Sequence, residues 1–495
     1  METSIIPPFV LTTIKRMQDA GFEAYLVGGC VRDMIMGRTP KDWDVTTNAR
    51  PEQIQGVFTD LRTLYENQFG TVTVLDKPVT HETVSGETFE QVQITTYRSE
   101  GKYTDSRHPD SVTYETDIQK DLERRDFAMN AIAFDPYKGQ YIDPFNGQKD
   151  IKDKRIHCVL YPEIRLKEDA LRMLRAVRFS TVLGFAISHE TFEAIRANSQ
   201  LIQDISGERI RDEVLKIIES DSPAAGVYML EKANLLQYIL PELREGIGCE
   251  QKGEHVYDVY DHLLHALQHA ADKGFGTEVR LAALFHDIGK PPTRRYDRIK
   301  DKYTFFGHEV VGARITKKAL ERLKLSRETS DLVVSLVRNH MFFSDTEKIT
   351  LSAVRRIIRN VGPDHIWQLM EVRECDRVGM KKVEAPYRLR KYHAMIEEAL
   401  RDPISVSQLA IDGNYLIQTL HMKPGPRMGW MLHALLEEVL EDPGLNTADS
   451  LVSRVTALDK LTDQELKELG EKGKEKKEEA NLEEVEGLRK KHRVK

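Results

Sequence analysis

The sequence predicts an α+β protein: a head built on a small mixed sheet, followed by domains that are helical throughout. Up to about residue 150, short β-branched runs (Glu23 to Val27, Thr71 to Leu75, Val92 to Tyr97) alternate with turn signals, as strands among helices do. From about 150 to 245 the apolar residues take helical spacing instead, with Leu171, Leu174 and Val177, then Ile210, Val214, Leu215 and Ile218. At 495 residues and 40% apolar side chains, the chain is too long for one core and rich enough for three or four.

The expected division is a head over 1–150, a helical neck and body over 151–248, a histidine-bearing domain over 249–385 and a helical tail over 400–460. The tail is entered through Lys423-Pro424-Gly425-Pro426. The Glu/Lys-rich run 463–495 has few apolar residues and reads as a fraying helix or a disordered tail.

No basic stretch followed by an apolar run opens the sequence, and no segment approaches the roughly 18 uninterrupted apolar residues of a membrane span. No membrane association is expected. The four cysteines, Cys30, Cys158, Cys249 and Cys375, lie far apart, without disulfide or zinc spacing, which suits a reducing cytoplasm. A net charge of −7 argues against a protein that coats nucleic acid everywhere. Local basic faces remain: Arg172, Arg175 and Arg178, and Arg355, Arg356 and Arg359, recur at helical spacing and suit either a phosphate backbone or a solvated helix face.

Tyr25-Leu26-Val27-Gly28-Gly29-Cys30-Val31-Arg32-Asp33 reads as a strand, a glycine turn and a helix start, where bare backbone N–H groups approach phosphate. Lys41-Asp42-Trp43-Asp44-Val45 follows, and residues two apart on a strand share a face, so Asp42 and Asp44 are expected to point together. Two convergent carboxylates beside a phosphate-binding turn suit magnesium and phosphoryl transfer. In Glu123-Arg124-Arg125-Asp126-Phe127 an arginine pair beside an acid suits triphosphate or ribose recognition. Asp143-Pro144-Phe145-Asn146-Gly147 reads as a linker turn or a hinge.

In Glu168-Asp169-Ala170-Leu171-Arg172, Asp169 and Arg172 stand at i and i+3, which on a helix is one face. A carboxylate that accepts beside a guanidinium that donates matches the amino donor and ring-nitrogen acceptor shared by cytosine and adenine. The same spacing also describes an ordinary surface salt bridge.

These segments, in this order, resemble the bacterial CCA-adding tRNA nucleotidyltransferase and poly(A) polymerase family of the DNA polymerase β-like superfamily, from about residue 10 to 455. The resemblance implies a polymerase β-like nucleotidyltransferase head, with head, neck, body and tail in a seahorse-like arrangement. Gly28, Gly29, Arg32, Asp33, Asp42 and Asp44 match its catalytic motif; Arg124, Arg125 and Asp126 match its ribose and triphosphate motif. Asp169 and Arg172 match its protein template for the incoming base, with Arg175 and Arg178 counted among the nucleotide-binding residues. Glu208-Arg209-Ile210, Glu213 and Lys216 match its next helical motif.

The implied reaction is template-independent addition of CCA to the tRNA 3′ end from CTP and ATP, assisted by Mg²⁺ and releasing pyrophosphate. DNA is not an implied partner. Where members often carry an acid, Val92-Gln93-Ile94 has Gln93, which leaves a third carboxylate unidentified. The loop Ser99 to Asp117, with Gly101, Arg107 and Pro109, resembles the family's flexible loop for the switch from C to A addition and favours full CCA addition.

Downstream, His262, His286-Asp287 and Asp376 resemble the ligand series of HD-type metal phosphohydrolases, with Ala283-Leu284-Phe285-His286-Asp287-Ile288-Gly289-Lys290 at its centre. Imidazole with carboxylate suits a transition metal (Ni, Co, Mn or Fe) better than magnesium, and His308 and His340 can complete a second position. His255, His265 and His269 read as surface or supporting residues. The resemblance implies hydrolysis of 2′,3′-cyclic or 2′-phosphate ends, although such domains also persist as scaffold. Leu409-Ala410-Ile411-Asp412-Gly413 through Gly429 to Leu435-Leu436-Glu437 resembles the family tail, with an implied contact to the tRNA elbow or simple packing. A poly(A) polymerase, a partial CC- or A-adding enzyme, an HD phosphohydrolase with an inactive transferase head, and a tRNA-binding module without catalysis are the alternatives. Oligomeric state is not legible.

Overall fold

The computed structural model describes residues 3–66, 70–78, 90–101, 112–251, 256–299, 301–341, 349–379, 386–401 and 405–475. His255, residues 102–111 of the polar loop (with Arg107 and Pro109) and the last part of the charged C-terminus, 476–495, lie outside them. Internal packing divides the chain into two compact units, residues 1–220 with 225–239, and residues 221–224 with 240–495.

The first unit is organised by strands β1 (Ala24–Val27), β2 (Asp44–Thr47), β3 (Leu61–Glu66), β4 (Thr71–Pro78), β5 (Gln91–Thr96), β6 (Arg98–Glu100), β7 (Val112–Tyr114), β8 (Ala133–Asp135) and β9 (Gln140–Ile142). Seven form one sheet in the order β3-β4-β5-β2-β1-β8-β9, while β6 and β7 pair separately. The large sheet is mixed because β2 and β5 run parallel while its other pairs are antiparallel.

Register explains which residues lie inside. Val45, Ile94 and Val72 align across β2, β5 and β4, and all three are fully buried. With a side-chain period of two, the neighbouring row Asp44, Gln93 and Thr73 then shares the opposite face. The β1–β2 pairing runs to Leu26 opposite Val45, so the turn at Gly28 follows the end of β1 nearest the start of β2 at Asp44. Gly28 has φ 82°, and a Cβ there would come within 2.9 Å of Arg125 Nη1. Only glycine satisfies both the dihedral and the approach.

The helical part of this unit packs Leu171–Leu183 against Gly207–Ile218 through Leu174 and Val177 on one side and Val214, Ile217 and Ile218 on the other. Gly184, at φ 72°, closes the first of these helices in the left-handed conformation common at such ends.

Among the described residues, the second unit is helical apart from a hairpin, Arg295–Asp297 with Lys302–Thr304. Its centre holds Val259–Asp272, Thr277–Phe285, His308–Arg322, Arg327–Asn339 and Ile366–Asp376. A Cβ on Gly289 would stand 2.1 Å from the His308 carbonyl oxygen. That glycine therefore lets the chain after Asp287 pass directly against the start of the helix carrying His308.

The second run of arginines at helical spacing is held by the tail helix. Arg355 is buried and donates to the Leu440 carbonyl at 2.9 Å, while Arg356 and Arg359 pair with Glu441 and Glu437 of Pro426–Glu441. These contacts join the tail helix to Leu351–Val361 within the second unit. The charged run is helical over Asp463–Glu475, with Arg427 bonded to Asp459 and Asp463. Among the described residues, no helix is long and apolar enough to cross a membrane.

Candidate active site and metal centre

Asp42, Trp43, Asp44 and Gln93 line one cleft of about 620 Å³, together with Pro7, Val10, Lys41, Glu90 and Gln91. The expectation that both aspartates occupy a strand needs correction. β2 begins at Asp44, and Asp42 lies in the bend before it, so the cleft and not a shared strand face brings them together. Burial pushes the Asp44 carboxyl up; Arg125 opposes this and Asp42 adds to it. Two neighbouring carboxylates, one mostly desolvated, favour a cation between them. Gln93 faces Asp44 across the parallel pair, so a neutral amide stands at that position.

Behind the cleft, guanidinium groups are each fixed by particular acceptors. Arg32 donates to Asn130 Oδ1 at 2.8 Å and to Asp33 at 2.7 and 2.9 Å. Asp121, fully buried, pairs with Arg124 at 2.8 Å and Arg125 at 3.2 Å, and accepts from Thr46 at 3.1 Å. Burial alone would raise its carboxyl, but the two arginines outweigh it and hold it low. Asp126 accepts from its neighbour Phe127 N at 2.8 Å, from Asn130 Nδ2 at 3.1 Å and from Arg175 Nε at 2.8 Å. Arg178 Nε donates to Glu213 at 2.6 Å.

Asp169 and Arg172 also require correction. The helix breaks between them: Asp169 ends Pro162–Glu168 in an extended conformation, and Ala170 starts Leu171–Leu183. Their side chains are not paired with each other, although Arg172 N donates to the Asp169 carbonyl at 3.0 Å. Asp169 accepts from Leu171 N at 3.1 Å and from Arg209 at 2.9 Å. Arg172, 6% exposed, donates to Glu168, the Arg165 carbonyl and the Arg124 carbonyl, each at 2.9 Å. The pair is thus neither a surface salt bridge nor an i, i+3 helical face. It is two separately anchored groups on one helix junction, and Arg172 ties that junction to Arg124.

In the second unit, His262, His286, Asp287 and Asp376 form one group able to hold a metal ion, and Asp287, His308 and His340 form another. Asp287 belongs to both. His262 and His286 Nε2 stand 3.1 Å apart, His286 lies 3.3 Å from Asp376, and His308 lies 3.2 Å from Asp287. The Nδ1 atoms of His286, His308 and His340 meet the carbonyls of Ala283, Phe305 and Val337 at 2.8, 2.8 and 2.7 Å. Donation from Nδ1 fixes the tautomer and turns each Nε2 lone pair toward the cluster, the arrangement metal-binding histidines need. Burial would strip His286 of its proton, but Asp287 and Asp376 outweigh this and push it up to about 10. The cluster calls for positive charge that a metal ion can supply, so the donor set fits one.

Lys290 bridges Asp287 and Gln251, at 2.5 and 2.6 Å. His265 stacks on Tyr257 with centroids 4.2 Å apart, and His269 contacts Glu374 at 3.2 Å, in keeping with supporting roles. Sequence reasoning missed Asp121, Asn130, Lys290 and Gln251. A buried acid three and four residues before an arginine pair was the legible signal for Asp121; Asn130 and Gln251 gave none.

A family model described as the poly A polymerase head domain matches residues 24–157. A second, a probable RNA and SrmB-binding site of polymerase A, matches 184–247, and the HD domain matches 253–378. The CCA-adding enzyme of Geobacillus thermodenitrificans is 40% identical over 250 residues, covering 50% of this chain and 57% of that enzyme. The chain thus spans about half the length of several such relatives. With the CCA-adding enzyme of Levilactobacillus brevis the match covers 90% of this chain and 96% of the relative at 29% identity. Among solved structures, the Bacillus stearothermophilus CCA-adding enzyme in complex with CTP is similar, with a TM-score of 0.65 and 26% identity, covering 92% of this chain and 99% of that one.

Proposed function

We propose that the chain belongs to the CCA-adding enzyme and poly(A) polymerase family with an HD domain, and that it adds C and A to the 3′ end of tRNA from CTP and ATP, without a nucleic-acid template. The observation that carries this reading is the cleft lined by Asp42 and Asp44, with the charge of Arg125 acting on Asp44 and its guanidinium lying against the Gly28 turn. The tRNA 3′-oxygen forms a bond to the α-phosphorus while the bond to the pyrophosphate oxygen breaks. Asp42 and Asp44 would hold magnesium there, whose charge stabilises the transferring phosphate. Gly28 leaves room for the triphosphate, and Arg125 offers it a fixed positive charge.

Base choice falls to the junction at Asp169 and Arg172. Asp169 would accept from the amino group and Arg172 donate to the ring nitrogen common to cytosine and adenine. Arg209 and Glu168 hold the two groups in place. In the HD unit, His262, His286, Asp287 and Asp376, with His308 and His340, would bind a transition metal and hydrolyse phosphate at RNA ends. The proposed setting is the cytoplasm, where the buried, unbridged cysteines are stable.

The deciding experiment offers labelled CTP and ATP, separately and together, to tRNA lacking the terminal CCA, ending after its first C, and ending after its second. Addition of two C residues and then one A, stopping there, is expected. Long A tails would identify a poly(A) polymerase, and arrest after C or addition of A alone a partial enzyme.

A further inference from the structure

We propose that Phe179 is the positioning residue on which the nucleotide-facing arginines are arrayed; this rests on the nucleotidyl-transfer reading above. Its ring is 5% exposed and touches all three segments assigned to the nucleotide. The guanidinium of Arg178 lies 3.9 Å from the ring centroid, that of Arg32 5.2 Å and that of Arg175 5.4 Å. Phe127, from the segment with Arg124 and Arg125, meets it edge-on at 5.8 Å and 87°.

Three guanidinium groups gathered around one point repel, and each pairs with a carboxylate: Arg32 with Asp33, Arg175 with Asp126 and at 4.0 Å with Glu213, and Arg178 with Glu213. Those acids neutralise charge, but none of them pairs with all three arginines. The aromatic ring is the shared partner, its electron-rich face attracting cations in a site from which water is largely excluded. Removing the ring leaves every ion pair intact yet lets each guanidinium swing about its own acid. The ring therefore sets the mutual geometry of Arg32 on the glycine turn and Arg175 and Arg178 on the helix, which a bound triphosphate would meet as one array. An aliphatic side chain of similar volume fills the space but offers no such face.

The test compares Phe179→Leu with Phe179→Trp and Phe179→Tyr in the full chain, measuring CTP and ATP affinity by equilibrium dialysis and tRNA extension by steady-state kinetics. Loss of three partly desolvated cation–π contacts is expected to weaken nucleotide affinity at least about tenfold in the leucine variant. The aromatic variants are expected to recover most of it, whereas all three variants bind tRNA as the unaltered chain does. Unchanged affinity in the leucine variant overturns the proposal, as does equal weakening in leucine and aromatic variants, which would mark a packing role only. If the unaltered chain binds CTP but extends no tRNA, the transfer reading fails, while the ring's role is still judged by the binding data.

Discussion

Replacing Asp126 by asparagine removes one negative charge and little else. The amide oxygen introduced by Asp126→Asn still accepts from Phe127 N and Asn130, but Arg175 loses its nearer anionic partner and keeps only Glu213, at 4.0 Å. Burial pushes the Asp126 carboxyl up, yet Arg175 and the Asn130 amide outweigh it and hold it at about 2, below the ordinary 3.8. Each pKa unit corresponds to about 1.4 kcal/mol, so the charge contributes about 2 kcal/mol to the stability of the first unit near neutral pH. Because the folded value is depressed, that contribution is complete above about pH 4 and is lost as pH falls through about 2.

Trp43 is the one tryptophan of the first unit, Trp367 and Trp430 lying in the second. Urea unfolding followed by fluorescence in a Trp367→Phe, Trp430→Phe background therefore reports on the unit concerned. Asp126→Asn is expected to unfold at lower urea at pH 7, and its deficit relative to the unaltered residue to shrink as pH falls from 4 toward 2. Equal stability at pH 7, or a deficit independent of pH over that range, would refute the electrostatic account of this carboxylate.

Asp42→Ala or Asp44→Ala is expected to abolish incorporation of both labelled CTP and ATP while tRNA binding, measured by filter retention, stays within about twofold; the loss exceeds the several kcal/mol a metal site supplies to phosphoryl transfer. Near-normal incorporation by either variant in magnesium would remove the carboxylate pair from the reaction. His286→Ala or Asp287→Ala is expected to lower bound nickel, cobalt or manganese, measured by elemental analysis, and to remove hydrolysis of 2′,3′-cyclic phosphate without stopping nucleotide addition; full metal content in both variants would refute the ligand assignment. Asp169→Ala is expected to admit UTP and GTP, and Arg172→Ala to lower C and A addition together, each by about 1–3 kcal/mol, the cost of an unmet buried polar group. Wild-type rates and selectivity in both would place base choice elsewhere.

The sequence alone carried the α+β class and the change from strands to helices near residue 150, because these rest on local periodicity, and short spacings were enough to name the candidate chemistry-bearing residues. The turn at Gly28 was legible for the same reason: its dihedral belongs to a few consecutive residues. What the sequence could not supply was the partner each charge would meet. Spacing at i and i+3 joined Asp169 to Arg172, yet the helix breaks between them, Asp169 turns to Arg209 forty residues on, and Arg172 to Glu168 behind it. The basic runs at helical spacing read as groove or solvent, but tertiary packing brought Glu437 and Glu441 against Arg359 and Arg356. Asp42 and Asp44 read as one strand face, and the fold joined them through a cleft instead. Asp287 was legible as a candidate metal ligand; that it belongs to two candidate groups at once goes with the close passage of Gly289 against the His308 helix. Local sequence fixes which face a side chain presents, whereas its charge partner is chosen among residues tens of positions away, by the packing that desolvates both.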